Sequence, residues 1–367
     1  MSGGVDSSVA AALLAQKDYD LRAVYMRNWS TVDETGTMHA GSGGAMGCEW
    51  QKEWDDVQRV CRHLNNLPVR LMDLSREYWT DVFEPALGQW SDGTTPNPDV
   101  SCNRAIKFGA LLDHLLPSSK WLATGHYARI THRNIAGREH ASIQRAVDTT
   151  KDQSYYLSSV PSHRLAHTLF PLGTLHKSHV RVLAHQYQLP TADKRESMGL
   201  CFVGERGSGP GAFAKFLNQY VESPPGDLVN PEGLVIGQHN GIHSLTIGQG
   251  ARIGGCTERY FVARKYPESN TMLVVPGKTH AILQCVSLET DAFLWAAPKQ
   301  DIPKQPLAQV RYRQAAVPCK VYALPQGRVR IEFTDPMYAV ACGQVVAVYD
   351  QDVCLGSGTI AHVTTLA

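Results

Sequence analysis

Residues 1–16 read MSGGVDSSVAAALLAQ, and this stretch determines how the first part of the chain is interpreted. Two adjacent glycines are followed by an aspartate, two serines and an apolar run. Either serine can cap a helix that continues through residues 9–14. A glycine-rich loop that points its backbone N–H groups from a helix N-terminus forms an anion site. We therefore predict a phosphate-binding loop at the start of this stretch.

The chemistry of this loop differs from that of a Walker A loop, because it has no GK[ST] lysine to reach the β- and γ-phosphates. SGGVDSS instead matches the SGGxDS signature of the PP-loop family, whose members release pyrophosphate and place AMP on a substrate oxygen. A plain helix-capping turn is the alternative, and the glycine pair with Asp-Ser-Ser disfavours it. Because the motif begins at Ser2, no targeting segment is expected; either the chain starts here natively or something upstream is missing.

The composition is that of a globular protein with two or three domains. The chain has 367 residues, 43% of them hydrophobic and 19% charged, and a formal net charge of +1. No apolar run approaches the roughly 18–20 residues that span a bilayer, so we expect no membrane association. Because the net charge is near zero, an RNA partner would have to be held by local basic patches.

The nine cysteines are scattered, and no CxxC pair occurs among them. This pattern argues against a zinc ribbon, a thioredoxin-type dithiol or a clustered iron–sulfur site, and no metal site is predicted. Most of the cysteines are expected to be buried as small apolar residues in a reducing compartment. Cys61 fits this interpretation, because Trp50, Trp54, Val57 and Leu64 share its helical face within residues 49–64.

Residues 1–204 are predicted to form an α/β domain with a doubly wound parallel sheet. Apolar runs at 21–29, 68–74 and 120–126 indicate strands that alternate with helices. In such sheets ligands bind at the carboxyl ends of the strands, where MRNW and TGHY would lie. Residues 30–48 are rich in Gly, Ser and Thr and are expected to be a flexible surface insertion.

The rest of the chain is predicted to be β-rich. After breakers near residue 205, a glycine-dense stretch indicates a small central β-rich domain over 205–280. Short alternating strands such as CKVYAL, RVRIEF, GQVVAVYD and VCLGSGTI then indicate a C-terminal antiparallel β-barrel over 281–367.

Further motifs narrow the chemistry. GTTPNPDVSCNRAIKFG (93–109) places Asp99 three residues before Cys102, and ESMGLCFVGER (196–206) contains Cys201. With TGHYAR, KDQSYYL, FPLG, HSLTIGQ, RYRQ and CLGSGTI, the whole chain resembles the tRNA-specific 2-thiouridylase family. MRNW and the helix after the insertion look most similar to the mitochondrial branch. That resemblance implies a mitochondrial matrix location, with the bacterial cytoplasm as the alternative.

The resemblance implies a defined reaction. ATP, with Mg²⁺, adenylates the C2 oxygen of the wobble uridine U34 in a tRNA. A persulfide on Cys201 then delivers sulfur, AMP leaves, and 2-thiouridine results. Cys102 acts as the partner thiol, either as an acid or base or by forming a Cys102–Cys201 disulfide. A cysteine desulfurase relay is the implied sulfur donor, and tRNAs for Lys, Glu and Gln are the implied substrates.

The residue types suit this chemistry. An unperturbed thiol with a pKa of about 8.5 is mostly protonated at neutral pH, so an activated cysteine needs a cationic neighbour or a helix N-terminus. Arg104 and Lys107 near Cys102, and Arg206 near Cys201, are candidates from sequence proximity. Asp99 could hydrogen-bond the uracil edge or take its N3 proton if burial raises its pKa.

The resemblance also assigns binding residues by position. The ATP site would comprise Ser2, Gly3, Gly4, Val5, Asp6, Ser7, Met26 and Gly125. The target base would contact Asn97, Pro98 and Asp99. The tRNA would contact His126, Lys151, Asp152, Gln153, Arg311, Tyr312 and Gln344. Arg311-Tyr312-Arg313 sets guanidinium and aromatic groups side by side, as phosphate contact and base stacking require. The target uridine must also leave its stack to reach a pocket.

Two other functions remain open at this point. A PP-loop amide synthetase acting on a small molecule would need neither the two cysteines nor an RNA-binding barrel. A catalytically inactive tRNA-binding protein would use the same surface without releasing pyrophosphate. Activity after loss of Cys201 would favour the first, and absence of pyrophosphate release with tRNA present would favour the second.

Overall fold

The structure is a computed structural model that describes residues 1–29, 49–116, 118–135, 137–195, 212–296 and 303–367. They form an α/β domain, a small central β domain and a closed antiparallel barrel, which confirms the predicted fold class. The predicted insertion at 30–48, the boundary near 204, and both Cys201 and Arg206 lie outside the described residues. Within these ranges no helix has the length and apolarity that a membrane span requires.

The first domain carries most of the helices. They are α1 (Val5–Ala15), α2 (Glu49–His63), α3 (Ser75–Tyr78), α4 (Glu84–Ser91), α5 (Pro98–Ser101), α6 (Leu111–Leu115), α7 (Ser154–Leu157), α8 (Ser162–Leu165) and α9 (Lys177–Gln186). A further helix, α10 (Ala212–Leu217), comes later in the chain, before the strands of the central domain. Two π-helical segments, Trp79–Phe83 and Cys102–Ala110, connect α3 to α4 and α5 to α6.

Among the described residues of this domain, the parallel strands occur as two pairs. The strand β1 (Ala23–Arg27) pairs with β2 (Val69–Asp73), and β3 (Leu122–Ala123) pairs with β6 (Thr168–Leu169). The predicted strands at 21–29 and 68–74 are confirmed, whereas the run at 120–126 contributes only two strand residues. MRNW and TGHY do lie at carboxyl ends, because Asn28 follows β1 and Thr124 follows β3.

A hairpin departs from the predicted alternation of helix and strand. The strands β4 (Arg129–Ile135) and β5 (Arg138–Gln144) are antiparallel, and Gly137 in the connection has a φ of 77°. β5 also pairs with a strand of the C-terminal barrel, so the hairpin extends the barrel sheet. Sequence periodicity identifies a strand but not its partner, which here lies more than two hundred residues away.

The helix α2 confirms the predicted apolar face. Val57 and Cys61 are buried, and Trp54 packs its ring 5.7 Å from that of Tyr25. Burial also raises the pKa of the Cys61 thiol. Cys61 is therefore a protonated, unreactive core residue, as its position in the helix predicts.

The other two domains are built from strands. The strands of the central sheet are β7 (Gly226–Val229), β8 (Val235–His239), β9 (Gly250–Ala251), β10 (Tyr260–Tyr266) and β11 (Thr271–Pro276). Their order in the sheet is β8-β7-β11-β10-β9. Pairing of the first and last strands closes the six-stranded barrel. The barrel strands are β12 (Gln284–Trp295), β13 (Leu307–Gln309), β14 (Val317–Ala323), β15 (Val329–Tyr338), β16 (Val345–Asp350) and β17 (Val353–Thr365).

Two core clusters position the candidate site. One contains Trp29, Phe83 and Ile106, and it also encloses Cys102. The other packs α1 against α9 through Val9 and Val180. The first turns of α1 and α9 are thereby brought together, although they are about 170 residues apart in the sequence.

Candidate active site

The loop before α1 has the geometry of an anion site. Gly3 has a φ of 68°, and a Cβ there would lie 2.7 Å from the Glu53 carbonyl oxygen, so only glycine fits. Gly4 is extended and has no side chain to cap the helix. The first N–H groups of α1 therefore lack intrahelical partners and are available to an anion. Ser7 braces the loop, because its Oγ accepts from the Ser2 N–H at 3.1 Å and donates to the Gly4 carbonyl at 3.1 Å.

A lysine on α9 supplies a positive charge beside this loop. Lys177 Nζ donates to the two carboxylate oxygens of Asp6 at 2.6 and 2.8 Å. Asp6 also accepts from the Tyr127 hydroxyl at 2.7 Å, and the Lys177 N–H donates to Asp148 at 2.9 Å. Lys177 lies four residues after the FPLG motif, and no pattern in the sequence marks it as a phosphate ligand. The loop sequence has no lysine of its own, and Lys177 of α9 places an ammonium group beside it in the folded chain.

A second lysine holds the other side of the loop. Lys194 Nζ donates to the Gly3 carbonyl at 3.1 Å and to the Asp56 carboxylate at 2.7 Å. Arg59 forms a further ion pair with Asp56. Arg181 of α9 donates to the Lys194 carbonyl at 2.8 Å. This hydrogen bond ties Lys194 to α9, the helix that begins with Lys177. No sequence motif marks Lys194 either.

Gly125 and His126 connect the loop to the segment that carries Cys102. A Cβ at Gly125 would lie 2.8 Å from the Ser7 nitrogen, so the backbone at 125 packs directly on the loop. The next residue, His126, lies with its Nε2 3.4 Å from Lys107 Nζ. Lys107 is five residues after Cys102, so two adjacent residues after β3 bridge the predicted ATP site and the predicted catalytic segment.

The hydrogen bonds of His126 fix its protonation state. An ammonium group can only donate, so Nε2 must accept from Lys107. Nδ1 therefore carries the proton and donates to Thr124 Oγ1 at 2.7 Å. Burial, together with the charge of Lys107, holds the pKa of His126 well below its usual range. His126 is consequently neutral, and a contact between it and tRNA, which stays a prediction, would not be a cationic one.

Cys102 lies at the start of a π-helical segment. Such segments are rare, and they are frequent at functional sites. Cys102 is 7% exposed as a residue, and Asn28 Nδ2 donates to its sulfur at 3.8 Å. The side-chain amide oxygen of Asn28, Oδ1, is buried and has no hydrogen-bond partner among the described residues. Asn28 is therefore a candidate substrate ligand that sequence analysis did not single out, although it lies within MRNW.

Asp99 and Asn97 occupy the turn before Cys102. The Asn97 side chain caps α5 by accepting from the Val100 N–H at 3.3 Å. Burial raises the pKa of Asp99 to about 6, and the positive charge of Lys107 opposes this rise. A carboxyl group with this pKa can accept a proton at neutral pH, as the predicted base chemistry needs. Of the two predicted cations, Lys107 faces this site, whereas Arg104 is exposed.

Three other residues assigned to the ATP and base sites pack within the protein. Met26 lies in β1 and packs against the core cluster that contains Trp29 and Phe83, and Val5 is buried in the cluster between α1 and α9. Pro98 is buried at the first position of α5. Their contacts with ATP or uracil stay predictions.

The predicted tRNA residues at 151–153 fall at a turn before α7. Asp152 is buried, and its carboxylate accepts from Arg145 at 3.0 Å and from Ser154 Oγ at 2.7 Å. Gln153 accepts from the Tyr127 N–H at 3.0 Å, which links this turn to the loop that contains His126. Lys151 is half-buried in the same turn. The turn is thus tied internally to the candidate site.

The predicted tRNA residues of the barrel lie where domains meet. Arg311 donates to the Ala339 carbonyl, and burial lowers its pKa. Tyr312 packs its ring 4.5 Å from that of Tyr156, and Arg313 is exposed beside it. Gln344 donates to the carbonyls of Thr95 and Pro96, just before Asn97. Among the residues that the structure describes, no group of three or more His, Cys, Asp or Glu side chains could hold a metal ion.

The three parts of the chain match three family models. Residues 1–205 match the tRNA methyl transferase HUP domain, and residues 214–276 match the tRNA methyl transferase PRC-barrel domain. Residues 286–360 match the aminomethyltransferase β-barrel domain.

Curated relatives match over nearly the whole chain. A protein of Lysinibacillus sphaericus is 39% identical over 99% of this chain and 93% of its own length. One of Chromohalobacter salexigens is 40% identical over 98% of this chain and 91% of its own. One of Acinetobacter baumannii is 39% identical over 99% of this chain and 96% of its own. Each is named a tRNA-specific 2-thiouridylase, MnmA.

Proposed function

Because this chain belongs to the tRNA-specific 2-thiouridylase family, we propose that it is an ATP-dependent tRNA sulfurtransferase that converts the wobble uridine U34 to 2-thiouridine. The observation that supports this best is the bridge made by Gly125 and His126. It places a phosphate-binding loop next to a segment with a proton-accepting carboxylate and a thiol. An amide synthetase would have no use for that thiol.

The first step is adenylation. The C2 oxygen of uridine attacks the α-phosphorus of ATP, pyrophosphate leaves, and Asp99 takes the N3 proton. The loop N–H groups with Lys177 and Lys194 hold the phosphates. Asp6 offers the carboxylate that Mg²⁺ uses beside nucleotide phosphates, so the residues fit this ion. Its ion pair with Lys177 would have to open for Asp6 to hold the metal.

The second step is sulfur transfer. The terminal sulfur of a Cys201 persulfide attacks C2, and the C2–O bond breaks to release AMP. The Cys102 thiolate then attacks the inner sulfur of Cys201. The S–S bond breaks toward the base, which leaves 2-thiouridine and a Cys102–Cys201 disulfide. A dithiol reductant and a persulfide donor, which we propose to be a cysteine desulfurase relay, complete the cycle. Cys102 acting as an acid or base is the alternative role for the partner thiol.

Mass spectrometry of anticodon nucleosides tests the proposal. The protein is incubated with ATP, a persulfide source and tRNAs for Lys, Glu and Gln. We expect 2-thiouridine at position 34, with AMP and pyrophosphate formed in equal amounts. Pyrophosphate formation that does not depend on tRNA would support an amide synthetase. tRNA binding without pyrophosphate would indicate an inactive tRNA-binding protein. Fractionation of source cells tests the proposed mitochondrial matrix location against the bacterial cytoplasm.

The rate of adenylation is expected to decrease at acidic pH because Asp99 becomes protonated. With a folded-state pKa of about 6, the carboxylate becomes protonated as the pH falls through 6 and can no longer accept the N3 proton. We expect the rate of pyrophosphate release to halve near pH 6 and to fall about tenfold for each further unit. Asp99→Asn should lower the rate by roughly 10²–10⁴-fold and abolish this acidic limb. Asp20→Asn, at an exposed site, is the control; an unchanged limb in Asp99→Asn would exclude Asp99 as the base.

Arg311 is expected to contribute one phosphate contact. Arg311→Ala should weaken tRNA binding and reduce the slope of log Kd against log salt by about one. Arg22→Ala, an exposed arginine that is paired with Asp20, serves as the control. The measurement is a salt titration of tRNA affinity, and an unchanged slope in Arg311→Ala would remove this residue from the phosphate contacts.

A further inference from the structure

The segment that precedes the predicted base site lies where the three domains meet. Thr95 belongs to the first domain, and its N–H donates to the Cys342 carbonyl of the barrel domain at 2.9 Å. The Thr95 hydroxyl is 2.7 Å from the hydroxyl of Thr246 in the central domain. A Cβ at Gly343 would lie 2.9 Å from the Thr95 carbonyl, so the barrel backbone packs directly on this segment.

Gln344 makes the largest number of these contacts. Its Nε2 donates to the Thr95 carbonyl at 2.8 Å and to the Pro96 carbonyl at 3.1 Å. Its Oε1 accepts from Asn97 Nδ2 at 3.3 Å. A glutamine amide has two N–H donors, and both are used here. One lone pair of Oε1 remains for another partner, and because an amide oxygen can only accept, it could meet an N–H or O–H group of RNA but not a phosphate oxygen.

The contacts of Gln344 reach the reacting groups through one short piece of backbone. Asn97 caps α5, which carries Asp99 and continues directly into the segment that begins with Cys102. A shift of residues 95–97 therefore moves both the carboxylate and the thiol. A displacement of about 1 Å at a reacting group can cost roughly 10²-fold in rate.

We propose that Gln344 is a positioning residue for the base site, which holds residues 95–97 from the barrel, and that Thr246 does the same from the central domain. This role is distinct from the tRNA contact expected for Gln344, which stays a prediction, and it rests on the proposed function. It makes the two β-rich domains part of the catalytic geometry. The chemistry on the base then depends on how those domains seat against the first domain.

The test compares Gln344→Ala with Gln305→Ala, an exposed glutamine of the same domain. At saturating tRNA we expect Gln344→Ala to lower kcat for pyrophosphate release by about tenfold or more, with tRNA Kd within about twofold of wild type. We expect iodoacetamide to alkylate Cys102 several times faster in this variant. Peptide mass mapping measures that rate, with exposed Cys256 as the internal reference. Gln305→Ala should match wild type.

Thr246 gives an independent variant if Gln344→Ala does not fold. Thr246→Val removes the hydroxyl at nearly the same volume and should raise Cys102 alkylation, whereas Thr246→Ser should restore the wild-type rate. A raised tRNA Kd with unchanged kcat and unchanged alkylation in Gln344→Ala would overturn the proposal and return Gln344 to the RNA contacts. The alkylation readout needs no turnover. It therefore tests the inference even if wild-type protein makes no 2-thiouridine, which would refute the proposed function alone.

Discussion

Replacing Cys201 with alanine is expected to abolish formation of 2-thiouridine while adenylation of tRNA continues. Without the thiol there is no persulfide, so nothing carries sulfur to the activated C2 carbon. Asp99 and the phosphate loop remain intact, so pyrophosphate should still be released and adenylated tRNA should accumulate or revert by hydrolysis. Nucleoside mass spectrometry measures the first effect, and a pyrophosphate assay measures the second.

Two other cysteine variants sharpen this experiment. Cys256→Ala alters an exposed thiol of the central domain and should leave both activities unchanged. Cys102→Ala should trap sulfur between Cys201 and the base if Cys102 resolves the persulfide, and intact-mass analysis would detect that adduct. Thiolation that persists in Cys201→Ala would show that another group carries the sulfur.

Substitution of Gly125 by alanine is expected to cause the second large loss. The added Cβ would lie 2.8 Å from the Ser7 nitrogen and 2.9 Å from the Asp6 carbonyl carbon. Both are backbone atoms of the phosphate loop, so a side-chain rotation cannot relieve the contact. The loop must move, and we expect kcat/KM for ATP to fall by about 10²-fold. Steady-state pyrophosphate release at varied ATP measures this change.

Gly254→Ala is the matched control for this substitution. No atom lies within 4 Å of a Cβ at Gly254, so this variant should retain wild-type activity and stability. A Gly125→Ala protein with an unaltered kcat/KM for ATP would show that the packing of residue 125 on the loop has no part in nucleotide use.

Local sequence was sufficient for features that depend on neighbouring residues. The loop at 2–7 follows from its glycines and the helix after it, because backbone conformation and helix termini are local properties. The apolar face of α2 followed from a period of 3.6 residues, and the barrel strands followed from alternation. The order of the motifs along the chain also identified the family, which the comparisons bear out.

Contacts between distant residues were decided by the tertiary structure alone. The cations beside the loop come from Lys177 and Lys194, and nothing in the loop sequence announces them. Their positions depend on packing of α1 against α9. Two further contacts join separate domains: the hairpin pairs with the barrel, and Gln344 hydrogen-bonds residues 95–97.

There is a physical reason why local sequence predicts some features and only the tertiary structure decides the others. Propensity and periodicity indicate which face of a helix or strand is buried, but they do not identify the residues that pack against that face. The charge state of His126, the proton-accepting state of Asp99 and the environment of the Cys102 thiol arise from neighbours that only the folded chain supplies. The sequence by itself therefore determined the family, the phosphate loop and most of the helices and strands. The fold decided how those groups are placed and charged, because electrostatics and hydrogen bonding act through space.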